Sequence, residues 1–155
     1  MSGRADIEAL RAHPFARVLT EPQLEQLFRC GSVLELPAGA YVFREGDAAE
    51  QFYLIRSGQI ALDQQEPGKA TTRTETLVSG GVLGFSWLFE GGRWTLDARV
   101  VEPAELFALD GACVRKQMQD DPAMGLAIST QLIHQLYARL ERVRLQRLDV
   151  YRAGS

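Results

Sequence analysis

Histidine and cysteine are scarce in this chain of 155 residues, two of each, and neither pair is arranged for chemistry. His13 and His134 fall in different segments, Cys30 and Cys113 are equally distant, and no His-x-His or Cys-x-x-Cys occurs. Metal-dependent catalysis needs clustered ligands, and nucleophilic catalysis at Ser86 or a cysteine needs a base; neither is written locally. The expectation is a non-catalytic protein with no cofactor and no metal. A Cys30–Cys113 disulfide stays open, but two buried thiols in a cytoplasmic domain are the simpler expectation. No apolar run approaches the ~20 residues of a membrane span, and the N-terminal "MSGRADIEAL" is charged rather than signal-like, which argues against a membrane location. A basic excess is missing too. The net charge is −3, so nucleic acid would have to be met by a local patch.

What is present is the composition of an ordinary globular protein, 46% apolar and 24% charged. The length suits one domain over residues 1–155, with N-terminal helices (1–31), a β-barrel (32–109) and C-terminal helices (110–152), an α+β organisation with segregated classes. The first zone breaks at Pro14, beside a Phe15 anchor, and restarts after Thr20, an N-cap followed by Glu21 and Pro22. The middle zone has short Val, Ile, Leu, Tyr and Phe runs punctuated by "PAGA", "EGDAAE", "RSGQ", "EPGK" and "SGG". Turn signals this regular favour a barrel or jelly roll. Alternation places Phe52, Leu54, Ile60 and Leu62 on core positions around a tight Ser57-Gly58 hairpin.

Asp110 is a candidate N-cap for the third zone, and Pro122 opens a helix of about 28 residues, ~42 Å long. Leu126, Ile133, Leu136, Leu140, Val143 and Val150 form a heptad-like stripe broken by Ser129 and Arg147. So long a helix overruns a domain of this size, and the stripe predicts a homodimer along it, with an unidentified protein partner as the alternative. Residues 139–152 hold five arginines against Glu141 and Asp149. A solvated flank is the preferred reading; contact with DNA would lack specificity.

The segments "PAGAYVFREGDAAEQFYLIRSGQIAL", "LVSGGVLGFSWL" and "DARVVEPAELFAL", with the terminal helix, resemble the cyclic-nucleotide-binding domain of the catabolite-activator and fumarate–nitrate-reduction regulators. The resemblance covers nearly the whole chain. It implies an eight-stranded jelly roll, a phosphate-binding cassette and dimers joined along the last helix. Its DNA-binding members continue into a helix-turn-helix; this chain, stopping at Ser155, is expected to lack one, and "GFSWLF" is similar to cassettes of single-domain bacterial members. In nucleotide-binding members the cassette reads Phe-Gly-Glu, a short helix, then Arg-Ser/Thr-Ala. The glycine admits the phosphate to backbone N–H groups, the glutamate accepts from the ribose hydroxyl, and the arginine pairs with the phosphate.

Laid on this sequence, those positions fall on Leu83, Gly84 and Phe85, and on Leu96, Asp97 and Ala98. Only the glycine survives. A carboxylate at Asp97 facing a phosphate ~4 Å away would cost on the order of 4 kcal/mol. Cyclic AMP or GMP binding in the usual manner is therefore not expected. Arg93, after Gly91-Gly92, could swing inward to replace the missing cation, though a solvated arginine is the simpler reading; Arg99 shares a strand face with Asp97, where the two could pair at the surface. Two readings of the aromatics stay open. Phe85, Trp87, Phe89 and Trp94, with Leu88 and Leu96, fill the cavity as core; or Trp87 and Trp94 line a pocket for another apolar or aromatic ligand, with Ser86 as an orienting donor.

Overall fold

The computed structural model describes the backbone of residues 2–154 and the side chains of residues 3–148. Two helices, α1 (Ser2–Ala12) and α2 (Glu21–Arg29), precede the strands β1 (Gly31–Leu36), β2 (Tyr41–Phe43), β3 (Gln51–Gln64), β4 (Thr72–Leu77), β5 (Val82–Leu83) and β6 (Asp97–Asp110). A 3-10 turn at Ser86–Leu88 lies between β5 and β6, and α3 (Gly111–Asp120) and α4 (Pro122–Gly154) follow. The expected caps form. Thr20 and Gln23 make a reciprocal capping box, and the Asp110 carboxylate accepts from the Cys113 N–H at 3.1 Å.

Six strands stand where eight were expected, in one antiparallel sheet ordered β1-β6-β3-β4, with β2 added to β6 and β5 to β3. The count falls because β3 and β6, 14 residues each, run unbroken through positions expected to turn. No hairpin forms at Ser57-Gly58. β3 instead bulges there, its register against β6 shifting between Ile55 and Ile60, and Gly58 takes φ +93°. A Cβ at Gly58 would lie 2.6 Å from the Ala104 Cα, so the strand bends only with glycine at this crossing.

The bulge also changes which face carries the even-numbered residues. Phe52 and Leu54 point to the helices, whereas Ile60 and Leu62 point between the two halves of the sheet, with Tyr53 and Ile55. The result is two apolar cores rather than one. The helical-side core packs Phe52, Leu54, Trp87, Phe107 and Leu109 beneath α1, α2, α3 and the start of α4. The inner core, the lumen, packs Phe43, Ile60, Leu62, Trp94, Ala98 and Leu106.

The cysteines are not free thiols. Cys30, at the C-cap of α2, is disulfide-bonded to Cys113 of α3, with Cα atoms 5.7 Å apart across 83 residues of sequence. The free thiols expected of a cytoplasmic domain are not found, because the sheet returns the chain to where it entered: Gly31 at the start of β1 pairs with Leu109 at the end of β6.

α4 changes character along its length. Met124, Ile128 and Leu132 are buried against the helical-side core. The expected seam occupies another face, with Leu126, Ile133 and Leu140 at 71%, 66% and 62% exposure and Leu136 and Val143 also exposed. Val150, the last residue of that stripe, lies outside the described side chains.

Candidate functional site: the cassette and the lumen

The chain between β5 and β6 turns at Gly84, whose φ of +103° is a left-handed conformation. A Cβ there would meet the Trp94 ring at 2.6 Å, so glycine serves here to admit an indole. The two tryptophans of the loop part at this point. Trp87 enters the helical-side core, stacks on Phe52 with centroids 4.0 Å apart, and donates its N–H to the Gly84 carbonyl at 3.1 Å. Trp94 turns the other way, into the lumen, and stacks on Phe43 at 4.0 Å. Its backbone is fixed by the Glu45-Gly46-Asp47 turn: Trp94 N–H donates to the Asp47 carbonyl at 3.0 Å, and Gly46 N–H to the Trp94 carbonyl at 2.9 Å.

The other expected aromatics disperse. Phe85 and Leu88 are half-buried against the helical-side core, Leu96 packs on the lumen core, Ala98 lies within it, and Phe89 is exposed. The lumen space that remains is a cavity of about 100 Å³ walled by Leu62, Leu77, Leu83 and Trp94, with Ser86 and Thr95 on its rim. Ligand pockets ordinarily start near ~300 Å³. A larger, more open cleft of about 600 Å³ is bordered by Asp47, Glu50, Asp110 and Arg115, and it shares the inner-core residues Phe43 and Trp94 with the smaller cavity. Thr95 escaped sequence reading because the hydroxyl position of the motif was laid two residues further on, at Asp97.

The charged residues of the cassette all turn elsewhere. Arg93 is exposed and donates to the Gly46 carbonyl at 2.8 Å, facing away from the cavity. Asp97 does not face a ligand position and does not pair with Arg99. It is buried, accepting from Glu45 N–H at 2.7 Å and the Gln65 amide at 2.9 Å, with Arg44 at 3.5 Å. Arg99 instead pairs with Asp63 at 3.0 Å. The repulsion expected from Asp97 therefore does not arise, because strand pleat and the neighbouring turn claim the carboxylate for structure. What occupies the lumen is an indole.

One cation does reach the cavity, and it comes from α4. Arg139 lines the space and its Nε lies 2.9 Å from Oε2 of Glu75, a buried carboxylate on β4. Arg142 forks onto the other oxygen, with Nε at 2.8 Å and a terminal nitrogen also in contact. Two of the arginines read as a solvated flank are thus paired with a strand of the sheet. The missed signal was the carboxylate, since Glu75 sits in a polar strand, "TRTETL", that looks exposed.

Away from this region, His13 is buried beside the β4–β5 turn, its Nδ1 accepting from Phe15 N–H at 3.1 Å. Burial pushes its pKa down to about 4, and the carbonyls of Gly81 and Ile55 offset only part of that. Burial likewise raises the Tyr53 phenol. Among the described residues no group of three or more His, Cys, Asp or Glu side chains is placed to hold a metal ion, and no helix is long and apolar enough to cross a membrane.

Against this geometry, the sequence model described as the cyclic nucleotide-binding domain matches residues 33–121. An uncharacterized protein of Mycobacterium tuberculosis is 33% identical over 106 residues, covering 65% of this chain and 20% of the relative. A CRP-like cAMP-activated global transcriptional regulator of the same organism is 25% identical over 117 residues, 76% of this chain and 50% of that one. The chain therefore spans between a fifth and a half of these relatives' length. The sensor domain of the transcriptional regulator DNR from Pseudomonas aeruginosa superposes with a TM-score of 0.73 at 25% identity, covering 90% of this chain and 94% of that domain.

Proposed function

We propose, from the premise that this chain belongs to the cyclic nucleotide-binding domain family, that it is a non-catalytic regulatory module whose lumen is closed to cyclic AMP and cyclic GMP and whose last helix pairs with a second copy. The observation that carries the closed lumen is Trp94, stacked on Phe43 and pressed against Gly84, with about 100 Å³ left beside it. A nucleotide would have to expel a buried indole, and no cassette arginine faces inward to compensate. Cytoplasmic residence and the absence of sequence-specific DNA binding are part of the same reading.

Pairing rests on α4. Leu126, Ile133 and Leu140 repeat every seven residues, Leu136 and Val143 each follow one of them by three, and all five stand exposed on one chain. A 33-residue helix is ~50 Å long, and its last fully buried apolar side chain is Leu132 among the described residues. A second copy would cover the remainder.

Calorimetric titration with cyclic AMP and cyclic GMP tests the closed lumen: no heat is expected at micromolar ligand, and micromolar binding of either nucleotide would overturn the reading. Sedimentation of the full chain tests the pairing independently. A dimer is expected, and a monomer at tens of micromolar protein would remove the seam.

A further inference from the structure

The lumen cavity is small but chemically uneven. Of the residues that line it, Arg139 alone is charged, Ser86 and Thr95 supply hydroxyls, and the rest present apolar surface or backbone. The state of Arg139 decides what the space can accept. Arg142 brings two of its nitrogens to a single oxygen of Glu75, Oε1, whereas the buried Oε2 makes no hydrogen bond and lies 2.9 Å from Arg139 Nε. The terminal nitrogens of Arg139 have no protein partner among the described residues. Two guanidiniums face one carboxylate at this wall, so the site carries one surplus positive charge beside a largely apolar space.

We propose that this cavity is a binding site for a short-chain carboxylate. This deepens the closed-lumen reading and rests on it: a space too small for a nucleotide is suited to an ion of a few heavy atoms. The carboxylate takes the free fork of Arg139, whose planar donors match two oxygens at once, and the Ser86 and Thr95 hydroxyls add neutral donors. The alkyl end lies against Leu62, Leu77, Leu83 and Trp94. An amide of the same shape lacks the charge, and chloride lacks both the second oxygen and the apolar body.

The site also links ligand to output. Arg139 belongs to α4, Glu75 to β4, and Ser86 and Thr95 to the cassette. A carboxylate bound to Arg139 ties all three together and tightens the distal part of α4 against the barrel.

The test titrates propionate into the full chain at ionic strength held constant with sodium chloride, with propionamide as the uncharged control, reading Tm and tryptophan fluorescence. A rise of about 3 °C or more is expected at tenfold excess over Kd, with no rise for propionamide. Arg139→Gln is expected to weaken propionate at least tenfold. Should that variant fold poorly, the Ser86→Ala, Thr95→Val pair keeps the α4 contact and is expected to weaken binding several-fold. No shift beyond the chloride control, an equal shift with propionamide, or unchanged affinity in the variants would each overturn the proposal. Cyclic AMP is titrated in parallel. Its binding would overturn the closed-lumen reading, whereas silence from both ligands would sink the carboxylate site alone.

Discussion

Two cores lie back to back across the same sheet, and a single loop feeds both. On the helical side Trp87 stacks on Phe52, and in the lumen Trp94 stacks on Phe43, each pair with centroids 4.0 Å apart. Their surroundings differ. The helical side is closed covalently, with Cys30 and Cys113 joining α2 to α3 over a continuous apolar layer. The lumen side is closed by an ionic contact, Glu75 with Arg139 and Arg142, beside a residual cavity. A covalent link resists salt and ligand, whereas an ion cluster at a cavity edge responds to both. The two sides of the fold are thus distinguished by the kind of bond that shuts them.

The largest expected effect falls on the covalent side. Replacing both cysteines with serine frees a loop of 83 residues, for which the chain-entropy estimate is about 4.5 kcal/mol. Urea melts of the double variant, or of the parent chain under reductant, should show most of that loss. Next come the tryptophans. Trp87→Ala empties a closed core and is expected to cost about 4 kcal/mol, with no new ligand affinity. Trp94→Ala should cost less, about 3 kcal/mol, because its void merges with existing space. It should also open the lumen to small apolar probes such as indole, detected by calorimetry. Equal losses and equal probe binding in the two variants would erase the distinction between the cores.

How much of this could be read beforehand follows from the range of the interactions. Local signals held: the Thr20 cap, the Asp110 cap and the glycine turn at Gly84 depend on residues within a few positions. Signals set by long-range pairing did not. Gly58 reads as a hairpin because a turn and a bulge use the same residue, and only the approach of Ala104 from β6 selects the bulge. Asp97 reads as a ligand-facing anion because its hydrogen-bond donors, Glu45 N–H and the Gln65 amide, lie 52 and 32 residues away. In the cassette the aromatic content was visible, but not that Trp87 and Trp94 enter opposite cores, since that depends on which side of the sheet each end of the loop meets. Arg139 reached the cavity unannounced because helix periodicity says nothing about a carboxylate on a distant strand.

Smaller again is the effect of pH on the helical side. His13 is neutral in the fold, with a pKa lowered to about 4 from 6.5, chiefly by burial. Between those values the unfolded chain binds a proton that the folded chain does not, so stability falls as pH drops through 6.5 toward 4 and is flat above. The loss attributable to this group is about 3 kcal/mol across that window. His13→Gln should flatten the profile there, and an unchanged slope would show that other groups set acid stability.

The smallest effect on folding is expected at the far end of α4, where the change in assembly is greatest. Leu140 and Val143 are exposed on the single chain, so Leu140→Glu with Val143→Glu removes no intrachain packing and should alter monomer stability by less than ~0.5 kcal/mol. In a paired seam the same changes bury charge against charge, which costs far more and should dissociate a dimer. Sedimentation and thermal melting read together separate the two contributions. A halved mass with an unchanged concentration-independent Tm places the seam on this face. An unchanged mass would mean that the exposed stripe meets something other than a second copy, and this face of α4 would then be an interface to another protein.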